Sequence, residues 1–161
     1  MGTDPSLDKF IARLLTERKQ TLAIAESSAG GLINAAMVGV PGASAFYLGG
    51  CIVYTAASRE GLLGITAADM KGMRSASEPF ARLMAERIRA RLGATWGLAE
   101  TGASGPAGNR YGDAPGHACF AVSGPVSKSI TLETGKANRE GNMQEFTQAA
   151  LQLLKSCVEE N

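Results

Sequence analysis

The alternation of short apolar runs with segments of helical periodicity constrains this chain more than any other feature. Residues 21–25 form a short apolar run that is typical of a buried strand. The segment before it repeats apolar residues at helical spacing after Ser6, a candidate helix cap. The segment after it passes through Gly30 and continues as an apolar helix to Met37. This order of helix, strand and helix is typical of a domain in which helices cover a sheet.

The same pattern continues to the end of the chain. Ser77 marks the start of a helix and Gly93 marks its end. The other predicted elements are a strand over 46–54, a short helix ending at 63, a turn at 67–71, strands over 95–100, 116–122 and 127–133, and a helix over 138–158. Helices before and after a central set of strands predict a three-layer α/β/α sandwich with a mixed β-sheet, formed by a single domain over residues 1–161.

Charge and hydropathy exclude several classes of protein. The chain has 16 basic and 15 acidic residues, a net charge of +1 and no basic stripe, so nucleic acid is not an expected partner. The chain opens with Gly2, Asp4 and Pro5, not with a basic segment, and it contains no apolar run of 18 residues. We therefore expect a cytoplasmic protein that is neither secreted nor bound to a membrane.

Cysteine and histidine usage predicts no metal site and no cofactor. Cys51, Cys119 and Cys157 are far apart and flanked by apolar residues, as free thiols in a reducing compartment are. The only histidine, His117, lies in an apolar stretch. It is either a packed strand residue or the one imidazole that could serve a nucleophile.

Three loops are expected to meet at the carboxyl ends of the strands, where active sites of such sheets gather. The first begins with Glu26 and Ser27 and passes through Gly30 and Gly31 into a helix. Unpaired N–H groups at that helix start would suit a phosphate. The glycines would equally suit a tight turn that binds nothing.

The second and third loops offer hydroxyl groups and close backbone approach. Ser44 ends a Pro-Gly-Ala-Ser turn, and Tyr54 lies ten residues beyond it, at the end of the next predicted strand. Ser44 is either a turn residue or a nucleophile that needs a base from elsewhere. Thr101 and Gly102 open a loop over 101–115 that is rich in small residues, which suits either a flat ligand or a plain surface turn.

Together these segments resemble the C-terminal domain of the competence/damage-inducible CinA family. The family's first motif, Ala-Glu-Ser-Cys-Thr-Gly-Gly, appears at residues 25–31 as Ala-Glu-Ser-Ser-Ala-Gly-Gly. The arginine of the family's Gly-x-x-Arg turn before the last helix corresponds to Arg139, although three residues and not two separate it from Gly135 here. Between these two motifs the chain contains, in the family's order, the Pro-Gly-Ala-Ser turn at 41–44, the Gly-Gly strand ending in Tyr at 49–54 and the Leu-Leu-Gly-Ile segment at 62–65. The family's Thr-Gly-x-Ala-Gly-Pro loop appears at 101–106 as Thr-Gly-Ala-Ser-Gly-Pro.

The resemblance implies an amidohydrolase that converts nicotinamide mononucleotide to nicotinic acid mononucleotide and ammonia. It implies a pyridine mononucleotide as the small-molecule partner and a homo-oligomer, a dimer or larger. It also implies three catalytic positions, Ser44, Tyr54 and Arg59, the last of which is a lysine in the family. The implied ligand-binding residues are Glu26, Ser27, Gly30, Gly31, Thr101, Gly102 and Arg139.

Arg59 departs from the family's pattern and keeps three functions open. A desolvated lysine can lose its proton and accept that of a serine, whereas an arginine stays charged and binds phosphate or carboxylate. The chain would be a deamidase if Tyr54 or His117 transferred the proton instead. Without that transfer it would bind a pyridine nucleotide or another phosphorylated ligand without turnover. A purely structural or assembly role is the third possibility.

Overall fold

A five-stranded mixed sheet forms the centre of the structure, a computed structural model that describes residues 6–161. The sheet has the order β2-β1-β3-β4-β5, in which β1 is parallel to β2 and β3, and β4 is antiparallel to β3 and β5. The opening residues, from which we expected no secretion signal, lie outside the described residues. The strands are β1 (Leu22–Glu26), β2 (Tyr47–Ile52), β3 (Trp96–Ala103), β4 (His117–Ser123) and β5 (Lys128–Glu133).

Helices cover both faces of this sheet, and the predicted three-layer α/β/α sandwich is therefore confirmed. One buried cluster, which includes Phe120 and Phe146, joins the first helical layer to the sheet, and a second, which includes Phe80 and Met84, joins the other layer. No helix within residues 6–161 is both long and apolar enough to cross a membrane. The first layer contains α1 (Leu7–Arg18), α2 (Leu32–Val38) and α5 (Arg139–Glu160), and the second contains α3 (Ala56–Leu63) and α4 (Glu78–Leu92).

The helix ends mostly follow the signals in the sequence. The Ser77 hydroxyl accepts the N–H of Phe80 at 3.3 Å at the start of α4, and Gly93 ends that helix in the left-handed conformation with φ 65°. Ser6 takes the cap position of α1, but its side chain makes no capping hydrogen bond. Asn138 caps α5 by accepting an N–H at 2.8 Å.

Strand β3 is longer than the sequence predicts. It continues through Ala103 because residues beyond Glu100 still pair with β4, with Gly102 opposite Ala118. Gly102 fits there since a Cβ would come 2.5 Å from a carbonyl oxygen of β4. The predicted loop therefore begins after residue 103, and Thr101 and Gly102 are held on a strand.

Strand β2 contains an irregularity just before its glycine pair, Gly49 and Gly50. Its register against β1 shifts around Leu48, which is the extra residue on β2. Gly50 lies so close to α2 that a Cβ would come 2.1 Å from Asn34 Oδ1. Because β2 ends the strand order, its outer edge has no strand partner within residues 6–161.

Candidate active site

A cleft of about 430 Å³ opens at the carboxyl ends of β1, β2 and β3. This is the edge at which three parallel strands end and where ligands of open α/β sheets bind. Its walls come from the segments after these strands, from α3, from the start of α4 and from the loop between β3 and β4. Among its lining residues are the predicted Ser27, Tyr54, Arg59, Thr101 and Gly102, together with Ser75, Phe80, Asn109, Arg110 and Tyr111.

Two arginines, which we call the arginine pair, reach this cleft. Arg59 on α3 donates from Nη1 to Ser75 Oγ at 3.2 Å and lies 5.8 Å from the centre of the Phe80 ring. Arg110 donates from Nη2 to the Tyr111 hydroxyl at 3.1 Å. Within residues 6–161 neither guanidinium lies within 4.0 Å of a carboxylate oxygen. Their charge therefore remains available to an anionic ligand.

The loop that carries Arg110 is anchored by an ion pair beside it. Arg74 donates to both carboxylate oxygens of Asp113 at 2.6 and 3.2 Å, and Asn109 Nδ2 donates to the same carboxylate at 2.8 Å. The hydrogen bond from Arg74 is the main reason that the pKa of Asp113 lies below its usual value. Arg74 and Arg110 also lie 5.0 and 5.1 Å from the centre of the Tyr111 ring. These contacts hold the loop in place and thereby fix the position of Arg110 at the cleft.

Tyr54 and Arg139 form a pair at the edge of the cleft. Arg139 donates from Nη2 to the Tyr54 hydroxyl oxygen at 3.1 Å and from Nη1 to the carbonyl of Gly105. Arg139 thus lies beside the cleft and holds Tyr54 in position, although Tyr54 is 62% exposed. The guanidinium of Arg139 donates to the phenol oxygen of Tyr54, so the phenolic O–H remains free to donate to a ligand.

The structure separates Ser44 from the other implied catalytic residues of the same copy. Ser44 lies in the exposed 3₁₀ turn Ala43–Ala45 before β2, whereas Tyr54 follows β2. The pairing of β2 places its start beside Leu22 and its end beside Glu26 of β1. Six strand residues at about 3.3 Å each separate the two sites by about 20 Å. A single copy does not bring Ser44 and Tyr54 together, which corrects the expectation that all three loops meet at the carboxyl ends of the strands, because the loop of Ser44 lies at the opposite end of β2.

Glu26 occupies the helix start that the sequence offered to a phosphate. Its buried carboxylate accepts the N–H groups of Gly31, Ile33 and Asn34 at 3.0, 3.1 and 2.7 Å, and Asn34 Nδ2 at 2.7 Å. The Gly30 N–H is bonded to the chain as well, at 3.1 Å. The expected phosphate site at these glycines is therefore corrected, because an internal carboxylate already uses the donors.

Glu100 on β3 is the second buried carboxylate, and we call it and Glu26 the carboxylate pair. It accepts the N–H groups of Ser27 and Ala29 at 3.0 and 2.8 Å, and the hydroxyl of Ser28. Burial is the largest influence and raises the pKa of Glu100 to about 7, although these hydrogen bonds oppose it; the charge of Glu26 raises it further. Ser27 thus lines the cleft on a loop whose backbone is held by hydrogen bonds to the buried Glu100.

His117 lies behind the cleft wall. Its Nδ1 faces the Glu133 carboxylate, and its Nε2 lies 2.8 Å from the carbonyl oxygen of Ala76. Burial opposes a charge on the ring, but these two acceptors outweigh it and raise the pKa of His117. Ala76, in a left-handed conformation with φ 54°, also donates its N–H to Thr101 Oγ1 at 3.1 Å. The geometry supports the packed-strand interpretation of His117.

Sequence reasoning missed Arg110 and Tyr111 because the loop around them follows no periodic pattern. The available signal was an arginine–tyrosine pair in a loop otherwise rich in glycine, proline and small residues, directly after a strand. Ser75 and Phe80 were also missed. They lie next to the helix start at Ser77, where a capping signal and a binding residue look alike.

Comparison with known proteins finds one family along nearly the whole chain. A family model described as the CinA C-terminal domain matches residues 4–158. A CinA-like protein of Synechococcus sp. (strain CC9902) is 42% identical over 136 residues, which are 84% of this chain and 32% of that protein. One of Gloeobacter violaceus is 38% identical over 154 residues, which are 94% of this chain and 36% of that protein. The chain thus spans about a third of the length of these curated relatives.

Solved structures agree with the fold. A CinA superfamily protein from Klebsiella pneumoniae 700603 superposes with a TM-score of 0.90 at 24% identity, covering 96% of this chain and 97% of that one. The competence damage-inducible protein A of Klebsiella pneumoniae MGH 78578 superposes with a TM-score of 0.87 at 26% identity, covering 93% of both chains. Neither name states a substrate.

Proposed function

Because the chain belongs to the CinA C-terminal domain family, we propose that its cleft binds nicotinamide mononucleotide and hydrolyses the carboxamide to give nicotinic acid mononucleotide and ammonia. The arginine pair carries this proposal, since two unneutralised cations beside one cleft are suited to a phosphorylated ligand. The volume of about 430 Å³ lies within the range of about 300–1,000 Å³ that is typical of small-molecule pockets.

The phosphate binds between Arg59 and Arg110. The Ser75 hydroxyl, which already accepts from Arg59, adds a donor at the same place. The pyridine ring lies against the wall formed by Thr101 and Gly102, both of which line the cleft. In this orientation the carboxamide reaches the end of the cleft that contains Tyr54.

In the reaction the Ser44 hydroxyl oxygen forms a bond to the carboxamide carbon while its proton passes to the departing nitrogen. Ammonia leaves and an acyl-serine remains; a water then adds to the acyl carbon, which releases the carboxylic acid and restores the Ser44 hydroxyl. Tyr54 transfers the proton in this scheme, because Arg59 does not lose its own. Ser44 takes part only if a second copy of the chain supplies it.

Arg59 favours a second candidate function, binding of the mononucleotide without turnover. Compared with the lysine of the family, an arginine at this position binds a phosphate more tightly but cannot take the proton of the serine hydroxyl. Under this alternative the cleft binds the mononucleotide but does not hydrolyse its carboxamide.

Ammonia release from nicotinamide mononucleotide, measured for the wild-type chain and for Arg59→Lys, tests the proposal. We expect Arg59→Lys to raise the rate by a part of the roughly 100- to 10,000-fold that a positioned acid–base contributes. Arg13→Lys on α1 is the matched control and should leave the rate unchanged. A wild-type chain that is active and as fast as its Arg59→Lys variant would show that another group, Tyr54 or His117, already transfers the proton. No release by either chain, with retained binding, would favour the second candidate.

A further inference from the structure

Glu100 is a buried carboxylate directly behind the cleft, and the reaction proposed above does not use it. It is fully buried, and its Oε1 accepts the N–H of Ser27 at 3.0 Å. Both Ser27 and the residue next to Glu100, Thr101, line the cleft. Within residues 6–161 no basic side chain lies within 4.0 Å of the Glu100 carboxylate oxygens. When Glu100 is ionised, its charge therefore acts on a group that binds beside Ser27.

Ser27 lies under the middle of the proposed position of the ligand. Strand β1 lies between β2 and β3, and a ring against Thr101 on β3 whose carboxamide points to Tyr54 after β2 crosses the end of β1, where Ser27 lies. From Glu100 Oε1 the Ser27 nitrogen is 3.0 Å away. The Ser27 hydroxyl is about 3 Å further, and a hydrogen bond to the ligand adds about 2.8 Å. The carboxylate therefore lies within about 9 Å of the carboxamide.

We propose that Glu100 is a specificity-determining residue that distinguishes the substrate from the product, because its negative charge weakens the binding of the product carboxylate and not that of the neutral carboxamide. This inference rests on the proposed function. Hydrolysis of the amide turns an uncharged group into an anion at the end of the cleft beside Ser27, whereas the phosphate is the same before and after the reaction. Two negative charges about 9 Å apart near a protein surface repel each other enough to weaken binding on the order of tenfold.

The surroundings of Glu100 decide at which pH it carries this charge. Burial, and with it the charge of Glu26 on β1, raises the pKa of Glu100 to about 7 against the hydrogen bonds from residues 27–29. Phe120 is its uncharged partner on β4. The buried residues of α1, α2 and α5 include one titratable group, the Cys157 thiol, whose pKa is raised by burial so that it stays neutral. The product is therefore repelled above about pH 7 and not below it.

The hydrogen bonds of Glu100 fit both protonation states, so its titration changes the charge behind the cleft and not the shape of the loop. The ionised form accepts the N–H groups of Ser27 and Ala29 and the hydroxyl of Ser28. The protonated form keeps both N–H groups on Oε1, and its O–H donates to Ser28 Oγ, which reverses the direction of that bond. A glutamine at this position reproduces the protonated form, because its Nε2 donates to the same hydroxyl oxygen.

Calorimetric titration with nicotinamide mononucleotide and with nicotinic acid mononucleotide, from about pH 6 to about pH 8.5, tests the role of Glu100. All chains carry Ser44→Ala, so that no acyl-serine forms during the titration. The ratio of the two affinities is compared, because both nucleotides carry the same phosphate and its titration cancels. In the chain with Glu100 the affinity for the product relative to the substrate should fall on the order of tenfold as the pH rises. With Glu100→Gln it should stay at the low-pH value, and Glu17→Gln on the exposed side of α1 is the matched control that should behave as the chain with Glu100 does.

Ser28→Ala provides a second variant that keeps the carboxylate. The hydrogen bond from Ser28 lowers the pKa of Glu100, so its loss should move the fall in the affinity ratio to higher pH. A ratio that does not change with pH, or a Glu100→Gln chain that keeps the dependence, overturns the role of Glu100, as does a Ser28→Ala chain with an unchanged midpoint. Failure of the chain to bind either nucleotide at any pH overturns the proposed function as well, whereas tight binding of both with parallel pH profiles overturns only the role of Glu100.

Discussion

The carboxylate pair is buried next to the cleft residues Ser27 and Thr101, whereas the arginine pair lines the cleft, and the two pairs use their hydrogen-bonding groups in opposite ways. Glu26 and Glu100 together accept seven hydrogen bonds from the chain itself. Arg59 and Arg110 each donate to one nearby hydroxyl group, and most of their five N–H groups remain for a ligand. The difference teaches that the first pair stabilises the loops around the cleft and the second pair is available for binding.

Glu26→Gln should produce the largest effect on stability. The amide nitrogen of glutamine cannot accept the backbone N–H and Nδ2 of Asn34, so two partly buried donors each lose an acceptor. At about 2 kcal/mol for each donor, the free energy of unfolding should fall by about 4 kcal/mol. Urea denaturation followed by circular dichroism measures this change. A loss below about 1 kcal/mol would show that the helix start does not depend on the carboxylate.

Glu100→Gln is the matched variant and should behave differently, because its effect depends on pH. The pKa of Glu100 is raised to about 7 from 4.5, so the unfolded chain loses this proton before the folded chain does. The stability of the wild-type chain should therefore fall as the pH rises from about 4.5 to 7, on the order of 2–3 kcal/mol at about 1.4 kcal/mol for each unit. Thermal unfolding of Glu100→Gln across this window should show a flatter profile than that of the wild-type chain. Parallel profiles would contradict the protonation of Glu100.

Arg110→Ala and Arg59→Ala should change binding and leave stability almost unchanged. Each substitution removes charge-assisted hydrogen bonds of about 1.5–3 kcal/mol, which corresponds to a weakening of roughly 10- to 100-fold. Calorimetry with nicotinamide mononucleotide should show this loss. Arg13→Ala on α1 provides the same change of charge away from the cleft and should bind as the wild-type chain does. Equal affinities for nicotinamide mononucleotide and nicotinamide riboside would contradict a phosphate site between the two arginines.

The sequence predicted the helices and strands of this molecule because they depend on local signals. Apolar runs, caps such as Ser77 and stop signals such as Gly93 act within a few residues, and the elements that they predict are present. The end of β3 was predicted too early, since the pairing of Gly102 with β4 is a tertiary effect that no local pattern contains.

The candidate site was predicted only in part, because a motif records order along the chain and not distance in space. Tyr54 and Arg59 follow the same strand end and therefore line one cleft, whereas Ser44 precedes that strand and lies at its other end. The glycines at 30 and 31 suggested unpaired donors. The sequence does not show that Glu26 folds back onto the helix that follows it.

His117→Gln should have the smallest effect, and it extends the comparison to a basic side chain whose partners lie inside the chain. The ring donates to Ala76 and faces Glu133, so the substitution should lower the free energy of unfolding by about 1 kcal/mol, the value of an ordinary hydrogen bond. Asp113, whose carboxylate lies 3.6 Å from Nε2, adds to the charge around the ring. Affinity for nicotinamide mononucleotide should change far less than in Arg110→Ala.

The pH dependence of this last effect identifies its cause. The pKa of His117 is raised above its ordinary value, so its stabilisation is fully present below about pH 6.5 and is lost as the pH rises through the higher folded-state value. The difference between the wild-type chain and His117→Gln should therefore be larger at pH 5.5 than at pH 9. The stabilisation by Glu100 also falls as the pH rises, so the two chains compared both carry Glu100→Gln, one with His117 and one with His117→Gln. A difference that does not change with pH would show that His117 acts by packing alone, and a loss of affinity as large as that of Arg110→Ala would place its effect with the arginine pair.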